Sequence, residues 1–271
     1  MIPREEKIMP EKLDESAVGR AAKILAEATR SRTLINRLPV DIRPVNSEDG
    51  KAIAEAALDL IDKEVVGWKI GYASIAERRD MENVPVPGRL LQGSILQSPA
   101  NIHLSELNHP LIEAEIALVL GSDMPARDTL YTPEEAKEAV SSAHVAIEIA
   151  DPRYKDFNEP ENAEFIADNA CSRFVVVGPE VPNWKDGPLS DIEVTMLFDD
   201  ELVSKGRKDD DRCDGFWSLA WLINDVGKRG YSLKAGQVFS SGAVAKVLPL
   251  GNSRRVVVNF NGVEAALSIG D

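Results

Sequence analysis

The run Leu111-Ile-Glu-Ala-Glu-Ile-Ala-Leu-Val-Leu120 carries two carboxylates, two residues apart, in an otherwise apolar stretch. A strand sends alternate side chains to opposite faces. One face then holds Ile112, Ala114, Ile116, Leu118 and Leu120; the other holds Glu113 and Glu115, followed by Ala117 and Val119. Like charges at that spacing repel unless something neutralises them. A solvent-facing strand would stay polar beyond Glu115. This one turns apolar, as at the polar end of an interior cavity. Val145-Ala-Ile-Glu-Ile-Ala150 repeats the pattern, with Glu148 alone between Ala146 and Ala150. An isolated buried carboxylate is costly and normally stays protonated. Three converging carboxylates suit a hard divalent cation, and oxygen-only ligands favour Mg²⁺, Mn²⁺ or Ca²⁺ over zinc. The competing reading of the same spacing is solvent-facing carboxylates, or a salt-bridge cluster with nearby Lys or Arg.

Val65-Val-Gly-Trp-Lys-Ile-Gly-Tyr72 supplies a second reactive type. Val66, Trp68, Ile70 and Tyr72 share one face, while Lys69 shares the other with Val65, Gly67 and Gly71. Glycine on both sides leaves room for a ligand or for a close backbone approach. A lysine there can give or take a proton, its pKa set by desolvation against nearby carboxylates. The alternative is a lysine paired with one acid at a strand edge.

The elements that must position these groups divide the chain in two. Residues 1–62 form an N-terminal helical segment: residues 11–62 read as helical, with Ala17, Ala21, Ile24, Leu25 and Ala28 at helical spacing. Ser47 is the expected cap of a second helix through Ile53, Ala57 and Leu60, after a hinge at 44–47. Residues 63–271 form a β-rich catalytic domain of short apolar segments punctuated by Gly and Pro. Expected strands are 65–72, 93–95, 111–120, 145–150, 174–177, 192–198, 236–241 and 254–260. Thr132 should cap one interrupting helix, with Pro133 first and Glu135 three residues after the cap. A second helix is expected over 213–229. The class is α+β.

A formal charge of −14 over 271 residues argues against nucleic acid as a partner. No apolar run approaches the roughly 20 residues that span a bilayer. The segment Met1–Pro10 lacks an apolar core, so it does not read as a secretory signal. Cys171 and Cys213 are expected as free thiols in a reducing cytoplasm.

Together, Gly67-Trp-Lys-Ile-Gly71, Leu111-Ile-Glu-Ala-Glu-Ile-Ala117, Ala146-Ile-Glu-Ile-Ala-Asp151, Ala167-Asp-Asn-Ala170 and Ser240-Ser-Gly242 resemble the 2-keto-4-pentenoate hydratase and 4-oxalocrotonate decarboxylase family of the fumarylacetoacetase-like superfamily. The resemblance runs from about Val65 to Gly270. It implies a mixed β-roll with N-terminal and flanking helices, in a homo-oligomer or in a complex with a homologous decarboxylase or hydratase. It implies Mg²⁺ (or Mn²⁺) on Glu113, Glu115 and Glu148, and Lys69 as the acid or base. Asp168 and Asn169 match a turn beside the site, and Ser240, Ser241 and Gly242 a loop near the substrate carboxylate. The implied substrate is a small 2-oxo acid, and the implied reaction is water addition to a 2-hydroxyalka-2,4-dienoate. Alternatives are 4-oxalocrotonate-type decarboxylation, acylpyruvate hydrolysis, or a degenerate non-catalytic partner subunit.

Two departures stand out. Val86 occupies the place of an expected Asp after the lysine strand, leaving Glu82 as the nearest acid, and Cys171 replaces a Ser. Hydrolysis would want a His–Glu pair, and no histidine precedes His103. Of the three histidines, His144 shares a face with Glu148. The run 205–212, Lys-Gly-Arg-Lys-Asp-Asp-Asp-Arg, reads as a solvated loop.

Overall fold

Asp14 starts the first helix by accepting from the Ala17 amide at 2.7 Å; such a cap satisfies one of the orphan donors of the first turn. In the computed structural model, which describes residues 12–79, 85–156 and 158–271, this helix is α1 (Glu15–Ser31), followed by α2 (Ser47–Ile61). Met1–Pro10 and Glu82 lie outside the described residues. Residues 11–62 are therefore not continuously helical: both helices end on left-handed residues, Arg32 and Asp62. The cap of α2 is Asn46, not Ser47. The two helices bury Ala17, Ala21, Leu25, Ile53 and Ala57 together with Leu38, Tyr154 and Ala167.

The lysine strand β1 (Val65–Gly71) leads through a short helix α3 (Ile75–Arg79) to β2 (Val86–Leu91). Then come β3 (Ile95–Gln97), β4 (Ala100–His103), β5 (Leu111–Leu120), α4 (Pro133–Ala139), β6 (Val140–Ala150) and α5 (Asn162–Ala167). They are followed by β7 (Ser172–Glu180), β8 (Val194–Phe198), β9 (Glu201–Lys205), α6 (Gly215–Gly227), β10 (Val238–Ser240), β11 (Leu248–Pro249), β12 (Arg255–Phe260) and β13 (Val263–Gly270). α4 carries the expected Thr132 cap and reciprocal Glu135 contact.

One curled mixed sheet runs β2-β1-β10-β5-β6-β7-β3, with β11 paired to β5; the other runs β4-β13-β12-β8-β9. The alternation in β5 and β6 sorts as the pattern requires. Ile112, Ile116, Leu118, Ile147 and Ile149 enter the main core with Val256, Val258 and Leu267 from the second sheet. Each such side chain contributes roughly 1.5–3 kcal/mol of burial. The opposite faces are left for the carboxylates. β2 escaped the sequence reading because Pro87 and Gly88 interrupt it. It survives as a strand because it is the edge of its sheet, where proline costs no ladder bond. No described helix is long and apolar enough to cross a membrane.

Candidate active site

The antiparallel register of β5 on β6 sets Glu113 directly across from Glu148 and Glu115 across from Ala146. β10 lies against the other side of β5 and parallel to β1, with Lys69 level with Ser240. All three glutamates and Lys69 thus come to one wall of the curled sheet. Lys69 Nζ sits 2.6 Å from Glu148 Oε1, and both side chains are almost fully buried. Nζ also donates to the Ala170 carbonyl at 3.0 Å. Burial works against the ammonium, but Glu148, Glu113 and Glu115 outweigh it and raise the Lys69 pKa.

The pKa values of two of the carboxylates rise as well, which for an acid disfavours the charged form. Burial, then the charge of Glu148, pushes Glu113 up to about 7. Glu115 is raised well above the usual range by burial and by Glu148 and Glu113. Ser240 Oγ donates to Glu115 Oε2 at 2.6 Å and the Gly242 amide donates to the same oxygen at 3.0 Å. Gly242 makes that contact at φ +97°, where a Cβ would fall 2.9 Å from Cys213 Sγ, so only glycine fits. Glu115 Oε1 and Glu148 Oε2 are buried without a hydrogen-bond partner. Orphaned buried oxygens of this kind call for a ligand.

The donor set and its unpartnered oxygens fit a hard divalent cation. Among the described residues, however, no three acidic, His or Cys groups are drawn together as a ready ligand set. Lys69 holds Glu148 on one side, while Ser240 and Gly242 hold Glu115 on another.

In front of this wall opens a cavity of about 780 Å³, lined by Lys69, Glu113, Tyr72, Val86, His109 and Arg207 among others. Several sequence expectations change here. Gly67 makes room for backbone rather than ligand, since a Cβ there would meet the Val238 carbonyl oxygen at 2.3 Å. Asp168 does not turn its carboxylate to the cavity; it accepts from the Arg153 amide at 3.0 Å and from Arg153 Nε at 2.5 Å. The Asn169 side chain brackets Arg89, accepting from its amide at 2.7 Å and donating to its carbonyl at 2.9 Å. Both residues anchor a turn whose members Asn169, Ala170 and Cys171 all take positive φ. Such strain needs surrounding support, and the turn delivers the Ala170 carbonyl to Lys69. Ser240 and Gly242 act on Glu115. Ser241 is buried, its amide on the Ile116 carbonyl.

Cys171 is a buried thiol on the cavity wall, its pKa raised by burial and by Asp168, which disfavours a reactive thiolate there. Val86 is buried against Ile166 and Ala170. His144 does not reach the cavity; its ring bonds the Gly178 carbonyl and Ser142 Oγ. His109 does reach it, its loop held by Asp151, which accepts from the Asn108 and His109 amides at 2.7–3.0 Å. The run 205–212 is not simply solvated. Arg212 is buried on the Leu189 carbonyl, and Arg207 enters the cavity wall 3.4 Å from Glu77. Both were hidden because a run of mixed charges has no periodicity to show which member turns inward.

The model of the fumarylacetoacetate hydrolase C-terminal family matches residues 64–270. The chain belongs to that family. Within it, the chain is 29% identical over 202 residues to a 2-keto-4-pentenoate hydratase of Burkholderia vietnamiensis, covering 74% of this chain and 76% of the relative. It is 30% identical over 188 residues to a 4-oxalocrotonate decarboxylase of a Pseudomonas species, covering 68% and 70%. The fold resembles that of a 4-oxalocrotonate decarboxylase from Pseudomonas putida G7, solved in complex with magnesium and adipate, with a TM-score of 0.83 at 21% identity over 96% of this chain and 99% of that one. The family match spans both sheets and every cavity residue named above.

Proposed function

We propose that this family member is a metal-assisted lyase of small 2-oxo acids. The observation that carries the reading is the buried Lys69–Glu148 contact, with oxygens of Glu115 and Glu148 left unpartnered, beside a cavity lined by Lys69 and Glu113 and large enough for a small acid. A divalent cation held by Glu113, Glu115 and Glu148 would supply a Lewis acid for a chelating 2-oxo carboxylate. Lys69, kept protonated by its carboxylate neighbours, is the proton donor to the substrate carbon, and the Ala170 carbonyl fixes the direction of its N–H.

The first reading of the reaction, supported by the hydratase relatives, is water addition to a 2-hydroxyalka-2,4-dienoate. A second reading, decarboxylation of a 4-oxalocrotonate-type acid, is favoured by the Val86 wall, which offers no group to orient water. Arg207 adds to it, because a guanidinium in the cavity suits a second substrate carboxylate. Product analysis separates the two. The protein is incubated with Mg²⁺ and either 2-hydroxypenta-2,4-dienoate or 4-oxalocrotonate, and the hydrated acid and CO₂ are measured. Absence of both products with both acids would overturn the lyase reading.

A further inference from the structure

A second cavity of about 320 Å³ opens between the C-terminal ends of α1 and α2 and the segment around residues 169–174. Its charge is opposite to that of the molecule. In a chain of net charge −14, its described lining includes cations from Arg30, Arg32, Lys63, Arg89, Arg153 and Arg173, and no carboxylate.

Some of these charges are answered. Arg153 is held by Asp168, and Arg89 lies 3.5 Å from Glu55. Arg173 reaches Glu106 only at 4.0 Å, and donates to the Glu106 carbonyl. Arg30 donates to the Leu60 carbonyl. Arg32 and Lys63 form no ion pair among the described residues. Burial lowers the Arg173 pKa; Asp151 and Glu106 oppose the drop, while Arg32 and Arg153 add to it, so the cations are close enough to work against one another. The ends of α1 and α2 offset about half a charge each, less than the excess gathered here.

We propose that this cavity is a binding site for a small phosphate-bearing anion, distinct from the catalytic cavity. Guanidinium groups match phosphate oxygens two at a time, and Lys63 adds a point charge. A volume of about 320 Å³ accommodates a phosphate with a small organic group. The site borders the same turn that serves catalysis. Asn169 and Ser172 line it, while Ala170 and Cys171 line the catalytic cavity. The Arg153 guanidinium holds that turn through Asp168, and the Arg89 backbone holds Asn169. An anion that draws Arg153 from Asp168 shifts the turn, and with it the Ala170 carbonyl on Lys69. The site is therefore an effector site. Its effect on turnover rests on the lyase reading; its occupancy does not.

The test is calorimetric titration of the full chain with pyrophosphate in metal-free, low-chloride buffer. Saturable binding is expected, weakened at least tenfold in the Arg32→Ala/Lys63→Ala double variant, whose melting temperature and unliganded turnover stay unchanged. No binding, or equal binding by both proteins, would overturn the site. A change of oligomeric state in the double variant, with no binding by the wild type, would assign the cations to a second copy of the chain and also overturn it. In turnover assays with Mg²⁺, pyrophosphate should alter the wild-type rate more than that of the double variant. Its chelation of Mg²⁺ acts equally on both, so equal responses would overturn the coupling while leaving the binding result intact.

Discussion

Buried acids occur in two settings in this molecule. Around the N-terminal helices and the 168–171 turn, each has an answer. Glu164, fully buried, is paired with Arg37 and Arg43; Asp168 is paired with Arg153; Asp151 accepts two amides of the 108–109 loop. On the β5–β6 wall, three carboxylates share one lysine, and oxygens of Glu115 and Glu148 are left without partners. A carboxylate with its own cation holds elements together. Carboxylates in excess over cations leave oxygens open to a ligand. The contrast separates acids paired within the fold from the acids we propose to work in the site.

The largest expected effect tests the first setting. Arg153→Ala leaves Asp168 buried without its cation, and breaking a buried pair costs about 3–5 kcal/mol. Urea unfolding should show that loss, and saturating Mg²⁺ should stabilise variant and wild type alike, leaving the difference between them in place. A cost below about 1 kcal/mol would mean that Asp168 relaxes to solvent and that the turn does not depend on it.

In the second setting, Lys69→Ala should lower turnover by at least ~10²-fold, the low end for general acid–base catalysis. Substrate affinity should change less, because the carboxylates that would hold the chelating cation remain. Unchanged turnover would remove Lys69 from the chemistry.

Metal linkage draws the contrast from a third side. A ligand at 100 times its dissociation constant stabilises the folded state by about 2.7 kcal/mol. Saturating Mg²⁺ should therefore raise the melting temperature of the wild type and of Asp168→Asn alike, but not that of Glu148→Gln. If Glu148→Gln responds as the wild type does, Glu148 is not a ligand.

The working setting was the more legible of the two in the sequence. Glu113, Glu115 and Glu148 interrupt strict two-residue alternation, and a polar residue on an apolar face announces itself. The building setting was not legible. Arg37 meets Glu164 across 127 residues, and Arg153 meets Asp168 only because α5 and a strained turn bring the chain back. No local period records such pairings. Arg207 failed for a related reason, since its direction is set by the β9–α6 connection and not by its neighbours in sequence. β13 has the right alternation over Val263–Gly270, with Ala265, Leu267 and Ile269 inward, but its small residues gave it little apolar contrast. The family resemblance carried what pattern could not: the order of short motifs along the chain.

The smallest expected effect lies where the two settings meet, at Val86. This side chain packs on Ile166 and Ala170, next to the turn, and also faces the catalytic cavity. Valine neither accepts a proton nor orients water. Hydration of 2-hydroxypenta-2,4-dienoate by the wild type should therefore be weak, with Mg²⁺ binding retained. Val86→Asp would add a carboxylate at a position 2% exposed. Burying an incompletely satisfied polar group costs roughly 1–3 kcal/mol, so the variant should be less stable yet gain hydration. Its stability loss should be smaller at low pH, where the new carboxyl is protonated: burial raises its folded pKa above the unfolded one, and the destabilisation appears as pH rises through that interval. Steady-state hydration assays at saturating Mg²⁺, beside pH-dependent urea unfolding, check both parts. A wild-type kcat in the usual range of about 1–10³ s⁻¹, with no gain in Val86→Asp, would show that another group handles water in this cavity. Val86 would then belong with the residues that only pack the turn.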